Sequence, residues 1–390
     1  MAETWRVTGA KRAVFRAIDA AGSPLRPLLS PRPSTPTIAR NILVLEPWFI
    51  GDLVLATSIL RALREKYPEA RITLLGKQHA ADLLEHSGLV DDVIVFDFPW
   101  TASGTNRKYD PRRYDPALWK SLAQDLRKRR FDLTMDARMD FRSNVIAFMS
   151  GAPRRIGYGF GGGAFLLTDA VAARPEAHHR VVDWMTLMGP LASGSPQTET
   201  AESLARRLPP MLRVSPQERE AAVHTLAAHG IAPGETVVAI HGGARDIRRR
   251  WPMESFARVA QSLVSRHGAR IVLFLEPGTE DPGIEVADAT LRTTLREMMA
   301  ILTQCNLLLC NDSGPMHIAD ALDVPIVAVF LTGNPVWHRP FRDFQKVVGA
   351  GTGHEFLESP TEAAVIEAAN SQLEFSLSRN ARQTKGDISC

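Results

Sequence analysis

From Asn41 onward the chain alternates short apolar runs with stretches of helical periodicity. Strand-length runs at Ile42–Leu45, Ile72–Leu75, Val93–Phe96 and Phe131–Met135 are separated by segments such as Leu55, Ile59, Ala62 and Leu63, apolar at the spacing of one helix face. A second series begins near Glu235, with Val237–Ile240, Ile271–Leu275, Leu307–Cys310 and Ile326–Phe330 as buried strands and Phe256, Val259, Ala260, Leu263 and Val264 on the helix between the first two. Alternation of strand and helix predicts a parallel sheet, so the pattern predicts two α/β units of the same class.

The segments around these series read differently. Trp5 to Ala20 predicts a short helix with Val7, Val14, Phe15 and Ile18 on one side and Arg6, Lys11, Arg12 and Arg16 elsewhere, followed by a Pro/Ser-rich linker from Ser23 to Thr37. It has two readings: a basic amphipathic segment resting on an anionic membrane surface, or an extension that is loose or packed on the domain. Between the two series lie a glycine cluster at Gly159, Gly161, Gly162 and Gly163, a predicted helix from His179 to Leu191 and a polar stretch around Ser193–Thr200. After a helix near Thr361–Leu373 the sequence turns polar. The expected organisation is an extension over 1–40, domains over 41–205 and 206–375, and a flexible tail over 376–390.

Composition narrows the class without changing this picture. The 390 residues exceed one ordinary core, and 45% hydrophobic with 23% charged content is that of a globular protein. A net charge of +3 is too weak for a nucleic-acid footprint. Cys305, Cys310 and Cys390 form no CxxC pair and have no His cluster beside them, so neither a disulfide framework nor a zinc site is suggested and a reducing compartment fits. No apolar run reaches the roughly 18 residues of a spanning helix and the N-terminus lacks a signal-peptide core, so a cytoplasmic protein is expected, with peripheral membrane contact under the first reading of the N-terminal segment.

Three strand ends carry candidate chemistry. After the first strand, Glu46-Pro47-Trp48-Phe49-Ile50-Gly51-Asp52-Leu53 places Gly51 in a tight turn and Asp52 where ligands gather in open α/β sheets; the plainer reading of Asp52 is a helix N-cap. No GxGxxG occurs here, which weakens a dehydrogenase reading. After the first strand of the second series, His241-Gly242-Gly243-Ala244-Arg245-Asp246-Ile247-Arg248-Arg249-Arg250-Trp251-Pro252 combines small residues with four arginines, as a pyrophosphate site needs; the alternative is a solvated basic loop. In Cys310-Asn311-Asp312-Ser313-Gly314-Pro315-Met316-His317 a buried strand runs into a helix, with Ser313 as N-cap candidate and free N–H groups suited to a phosphate; His317 also reads as a satisfied core histidine.

These blocks, together with Pro153-Arg154-Arg155-Ile156-Gly157-Tyr158, resemble glycosyltransferase family 9, the ADP-heptose:lipopolysaccharide heptosyltransferases, over about Asn41 to Arg342. The resemblance implies a GT-B architecture, two Rossmann-like parallel-sheet domains facing a central cleft, with the acceptor on the N-terminal domain and the nucleotide-sugar on the C-terminal one. By that likeness Asp52, beside Gly51 on the acceptor side, matches the catalytic base. Arg249 stands where the family has a lysine on donor phosphate. Asp312, Ser313, Gly314 and His317 match its donor-binding strand-to-helix block, to which the small residues Gly243 and Ala244 add a backbone that a donor can approach, and Glu280 lies where relatives often contact the nucleoside. The chain departs from the pattern at Gly242, where relatives have proline, at Arg249, and in the bulky Trp48-Phe49.

The expected reaction is an inverting transfer from a nucleotide-diphosphate sugar, ADP-heptose by resemblance, to a hydroxyl of a glycan or glycolipid acceptor. No metal or other cofactor is expected, since no DxD pair sits at a strand end. Two rivals use the same scaffold: a sugar-nucleotide epimerase and a non-catalytic nucleotide-sugar-binding protein.

Overall fold

The structure is a computed structural model that describes residues 9–30, 39–101, 114–172, 174, 178–192, 199–332, 335–349 and 360–386. Part of the predicted N-terminal helix and linker, most of the Ser193–Thr200 stretch and the last four residues of the expected tail lie outside the described residues. The chain divides into two compact units, Met1–Leu84 with Gly88–Pro209, and Glu85–Ser87 with Pro210–Cys390.

The first unit is built on a six-stranded parallel sheet of β1 (Asn41–Glu46), β2 (Arg71–Gly76), β3 (Asp92–Val95), β4 (Leu133–Asp136), β5 (Arg154–Tyr158) and β6 (Asp169–Val171), ordered β3-β2-β1-β4-β5-β6. The second holds β7 (Val237–His241), β8 (Arg270–Phe274), β9 (Ala289–Leu291), β10 (Leu307–Asn311), β11 (Ile326–Val329) and β12 (Lys346–Val348), ordered β12-β11-β10-β7-β8-β9. Counted from its own first strand, each sheet has the order 3-2-1-4-5-6 of a doubly wound nucleotide-binding fold. The central strands β1, β4, β7, β10 and β11 are almost wholly buried, as the continuous apolar runs require in a sheet covered on both faces.

The helices follow their sequence signals. Phe256, Val259, Ala260 and Leu263 form the buried stripe of helix Met253–His267, which stops at Gly268 in the left-handed region. Ser215 and Glu218 close a reciprocal capping box on helix Pro216–Ala228.

Four strands escape the sequence pattern. β6, β9 and β12 have three residues each, too few for a period to show. β5 carries Arg155, a polar residue on a buried strand, because its guanidinium is satisfied by the carbonyls of Leu166 (2.8 Å), Ala152 (2.6 Å) and Leu29 (2.8 Å) and by Ser30 Oγ (2.8 Å).

The segments flanking the two series form helices: the N-terminal one follows the packed reading, and the C-terminal one reaches into the stretch expected as a tail. Helix Gly9–Gly22 packs on the first unit: Asp19 Oδ1 accepts from the N–H of Ala164 at 2.9 Å, and a Cβ on Gly22 would stand 2.3 Å from the Phe165 ring. The final helix runs Glu362–Gly386, through the expected start of a tail, because Ser376 is buried and Arg379 pairs with Asp323.

Candidate active site

In each sheet the strand order reverses between the first and fourth strands, where β1 pairs with β4 and β7 with β10. The crevice at the carboxyl ends of that pair is where such folds hold ligands. Apart from Glu280, the predicted site residues fall there, in two groups, one per unit.

In the first unit Asp52 lies in the first turn of helix Ile50–Lys66. It is not the cap: Phe49 occupies the N-cap position, without a side-chain hydrogen bond, and Gly51 is the second helical residue. The Asp52 carboxylate is 12% exposed and accepts from Arg138 Nη1 at 2.8 Å. That guanidinium is 3% exposed and also lies 3.7 Å from Glu46 Oε1, at the end of β1. The N–H of Arg138 donates to Asp136 Oδ1 at 2.9 Å, at the end of β4. Asp136 is fully buried, and burial, with the Asp140 carboxylate adding to it, holds its pKa well above the usual carboxylate range. The bulky Trp48 and Phe49 have a local reason: the Arg138 guanidinium sits 4.7 Å over the Trp48 ring and Lys77 Nζ 5.1 Å from the centre of the Phe49 ring.

Arg138 is the residue that sequence reasoning missed. Its signal was positional: a cation two residues beyond a buried strand, at the neighbour of the strand that leads to Asp52.

In the second unit the small-residue loop and the strand-to-helix block are fastened together by Asn311. Its Nδ2 donates to the carbonyl of Gly242 at 2.8 Å, and its Oδ1 accepts from the N–H of Trp251 at 3.1 Å. Trp251 is buried edge-on against Phe256, ring centres 5.0 Å apart, so both ends of the arginine loop are fixed to the core. The four arginines part company. Arg249 Nη1 reaches Asp312 Oδ2 at 2.8 Å, Arg250 Nε donates to the carbonyl of the buried Ala244 at 2.7 Å, and Arg248 turns outward to Asp246 at 2.6 Å. Arg245 is exposed, so the solvated-loop reading describes Arg245 and Arg248 but not Arg249.

Ser313 takes the N-cap position of helix Gly314–Ala321, with Gly314 and Pro315 at its start, yet its side chain caps no N–H. Its Oγ and Arg249 Nε are buried atoms without a hydrogen-bond partner among the described residues. Buried polar groups left over at a helix N-terminus indicate an external partner. Burial pushes the Asp312 carboxyl up to about 6 against the opposing pull of Arg249, and burial lowers the pKa of His241, keeping it neutral. His317 is buried one turn into the helix. A Cβ on Gly243 would stand 2.9 Å from both Glu276 Oε1 and His241 Cε1, so only glycine fits without displacing a neighbour. Glu276, 3.9 Å from Arg250, is thus the acid at this loop, while Glu280 stands exposed farther along the turn after β8.

A sequence model of glycosyltransferase family 9 (heptosyltransferase) matches residues 119–362, more than half of the chain. The chain belongs to glycosyltransferase family 9. This decides between transferase and the rival readings, and the matched stretch takes in Arg138, Arg249 and the Asp312 block but begins after Asp52. The chain is similar to lipopolysaccharide heptosyltransferase 2 of Escherichia coli K12, 25% identical over 85% of this chain and 98% of the relative. It is also 25% identical to lipopolysaccharide heptosyltransferase 2 of Salmonella typhimurium, over 80% of this chain and 89% of the relative. Among solved structures, ADP-heptose lipopolysaccharide heptosyltransferase II of Escherichia coli superposes with a TM-score of 0.66 at 24% identity, covering 85% of this chain and 98% of that one. A family 9 glycosyltransferase of Veillonella parvula gives 0.70 at 21% identity over 86% and 97%. The GT-B class of the two sheets agrees with these neighbours.

Proposed function

We propose that this family 9 glycosyltransferase moves a heptose from ADP-heptose to a hydroxyl of a lipopolysaccharide core acceptor, in one inverting displacement. Asp52 takes the acceptor proton as the hydroxyl attacks the anomeric carbon and the bond to the nucleoside diphosphate breaks. The observation that carries this reading is the Asp52 carboxylate, partly open to solvent at the switch point of the first sheet and fixed there by the buried Arg138. Carboxylates are weak bases toward alcohols, so most of the acceleration comes from positioning and from proton transfer concerted with attack.

On the second unit Arg249 and the uncapped N-terminus of helix Gly314–Ala321 bind the diphosphate and stabilise the charge that develops on it. Arginine in place of lysine keeps the charge and adds a fork that grips two oxygens. Gly243, Ala244, Ser313 and His317 complete the donor site, with Glu280 toward the nucleoside. The reaction needs no metal or other cofactor, and the enzyme works in the cytoplasm as a peripheral protein at the inner face of the membrane that carries its acceptor. Among the described residues no helix is long and apolar enough to cross that membrane.

The test is product analysis by mass spectrometry with ADP-heptose and a heptose-deficient core acceptor. The acceptor should gain one heptose, with chelator present or absent, and ADP-heptose should remain intact when acceptor is omitted. Donor converted without acceptor, or donor bound with no acceptor ever modified, contradicts the proposal.

A further inference from the structure

The N-terminal segment is fastened to the first unit by one face and leaves another in solvent. On helix Gly9–Gly22 the residues Phe15, Ile18, Asp19 and Gly22 share one side, and Asp19 and Gly22 meet Ala164 and Phe165. The apolar stripe of this helix is therefore occupied by its own protein. Beyond it the chain makes two more short helical turns, Ser23–Leu25 and Arg26–Leu29, in which Leu25 and Leu28 lie three residues apart on one side and are 51% and 80% exposed. Val14, at 57%, is exposed as well. Of the eight large apolar side chains exposed among the described residues, three fall between Val14 and Leu28, so this segment concentrates apolar exposure.

The same stretch of the sequence carries the positive charge. Residues 1–40 contain seven Lys and Arg against two Asp and Glu, a net of +5, whereas the other 350 residues contain 39 against 41. The positive balance of the whole protein thus resides in this segment. One of its two acids, Asp19, is turned inward to Ala164, and Arg16 and Arg26 alternate with the exposed apolar residues.

We propose that this segment is a lipid-docking surface, with Leu25 and Leu28 entering the headgroup region of an anionic phospholipid bilayer and Arg16 and Arg26 pairing with lipid phosphates. Exposed leucines beside arginines on a segment of net +5 match the two components of interfacial binding, apolar insertion and attraction to anionic lipid. A protein partner would supply the apolar component but gives no reason for the charge. The inference deepens the proposed function, because an acceptor anchored in a membrane must be met at its surface, but its test does not depend on sugar transfer.

The full-length protein is mixed with vesicles of phosphatidylethanolamine and phosphatidylglycerol, or of phosphatidylcholine alone, and the bound fraction is measured by co-sedimentation. Binding should be at least about 10-fold stronger to the anionic vesicles and fall as salt is raised. The double variant L25S/L28S and the pair R16E/R26E should each weaken it at least about 5-fold, with thermal stability and activity on a delipidated, water-soluble acceptor unchanged. Binding by the wild type that neither pair weakens overturns the proposal. So does absence of binding to anionic vesicles, including the case in which L25S/L28S instead changes the oligomeric state. Loss of activity on the soluble acceptor in the variants would also overturn it, by making the segment structural. A wild type that binds vesicles but transfers no sugar would refute the proposed function and leave the docking surface standing.

Discussion

The helix that follows the fourth strand ends differently in the two units. In the first, the N-terminus of helix Phe141–Met149 is closed by Asp140, whose Oδ1 accepts from the N–H of Arg142 at 2.9 Å and whose carboxylate also pairs with the Arg142 side chain. In the second, helix Gly314–Ala321 begins at Ser313, which caps nothing. The strand ends differ in the same sense: Asp52 and Glu46 flank one cation, Arg138, on the first unit, whereas Arg249 and Arg250 stand beside Asp312 and Glu276 on the second. Two sheets of one strand order thus present a partly open acid at one switch point and arginines beside an uncapped helix N-terminus at the other. Topology sets where a ligand goes; the residues just beyond β1, β4, β7 and β10 set what it is.

The sharpest way to break the comparison is to remove the acid. Asp52→Ala should lower kcat by about 10²–10⁴-fold, the range of a general base, in a steady-state transfer assay. Arg138→Ala comes next, because it leaves the buried Glu46 and the Asp52 carboxylate without their cation; a loss of about 3–5 kcal/mol in denaturant unfolding is expected, with Arg138→Lys intermediate. Arg249→Ala acts on the other unit and should lower kcat/KM by about 10²-fold while folding is nearly retained. Arg249→Lys should recover most of that loss.

The smallest effect is a pH dependence. Folding raises the Asp312 pKa from the ordinary 3.8 to about 6, so its contribution to stability is fully present below about pH 4 and is lost as pH rises through 6. Asp312→Asn should flatten the fall in stability between pH 4 and 6, a change on the order of 1–3 kcal/mol by urea titration. Above pH 6 the ionised Asp312 competes with the donor diphosphate for Arg249. Donor affinity should therefore rise as pH drops toward 5.5 in the wild type and stay level in the variant.

Much of this arrangement was legible in the sequence, and the exceptions have physical causes. The central strands of both sheets announce themselves because burial on two faces demands unbroken apolar runs, while the short edge strands carry no period. The Asp312-Ser313-Gly314 block could be read because strand, turn and helix start are contiguous. The partnership of Arg138 with Asp52 spans 86 positions and depends on parallel pairing of β1 with β4, which no local pattern encodes. Glu276 escaped notice because its place at this loop is visible only in three dimensions, through the missing side chain of Gly243. At Gly242 a Cβ would stand 2.3 Å from Met253 Cε, so any side chain there would have to displace this methionine.

The division of labour between the units is tested most directly by calorimetric titration of ADP-heptose into the wild type, Asp52→Ala and Arg249→Ala. The account predicts that Asp52→Ala binds donor within about 2-fold of the wild type while Arg249→Ala binds it at least about 10-fold more weakly, roughly 1.4 kcal/mol. Equal weakening by both substitutions, or weakening by Asp52→Ala alone, would place the acid in the donor site and contradict the account.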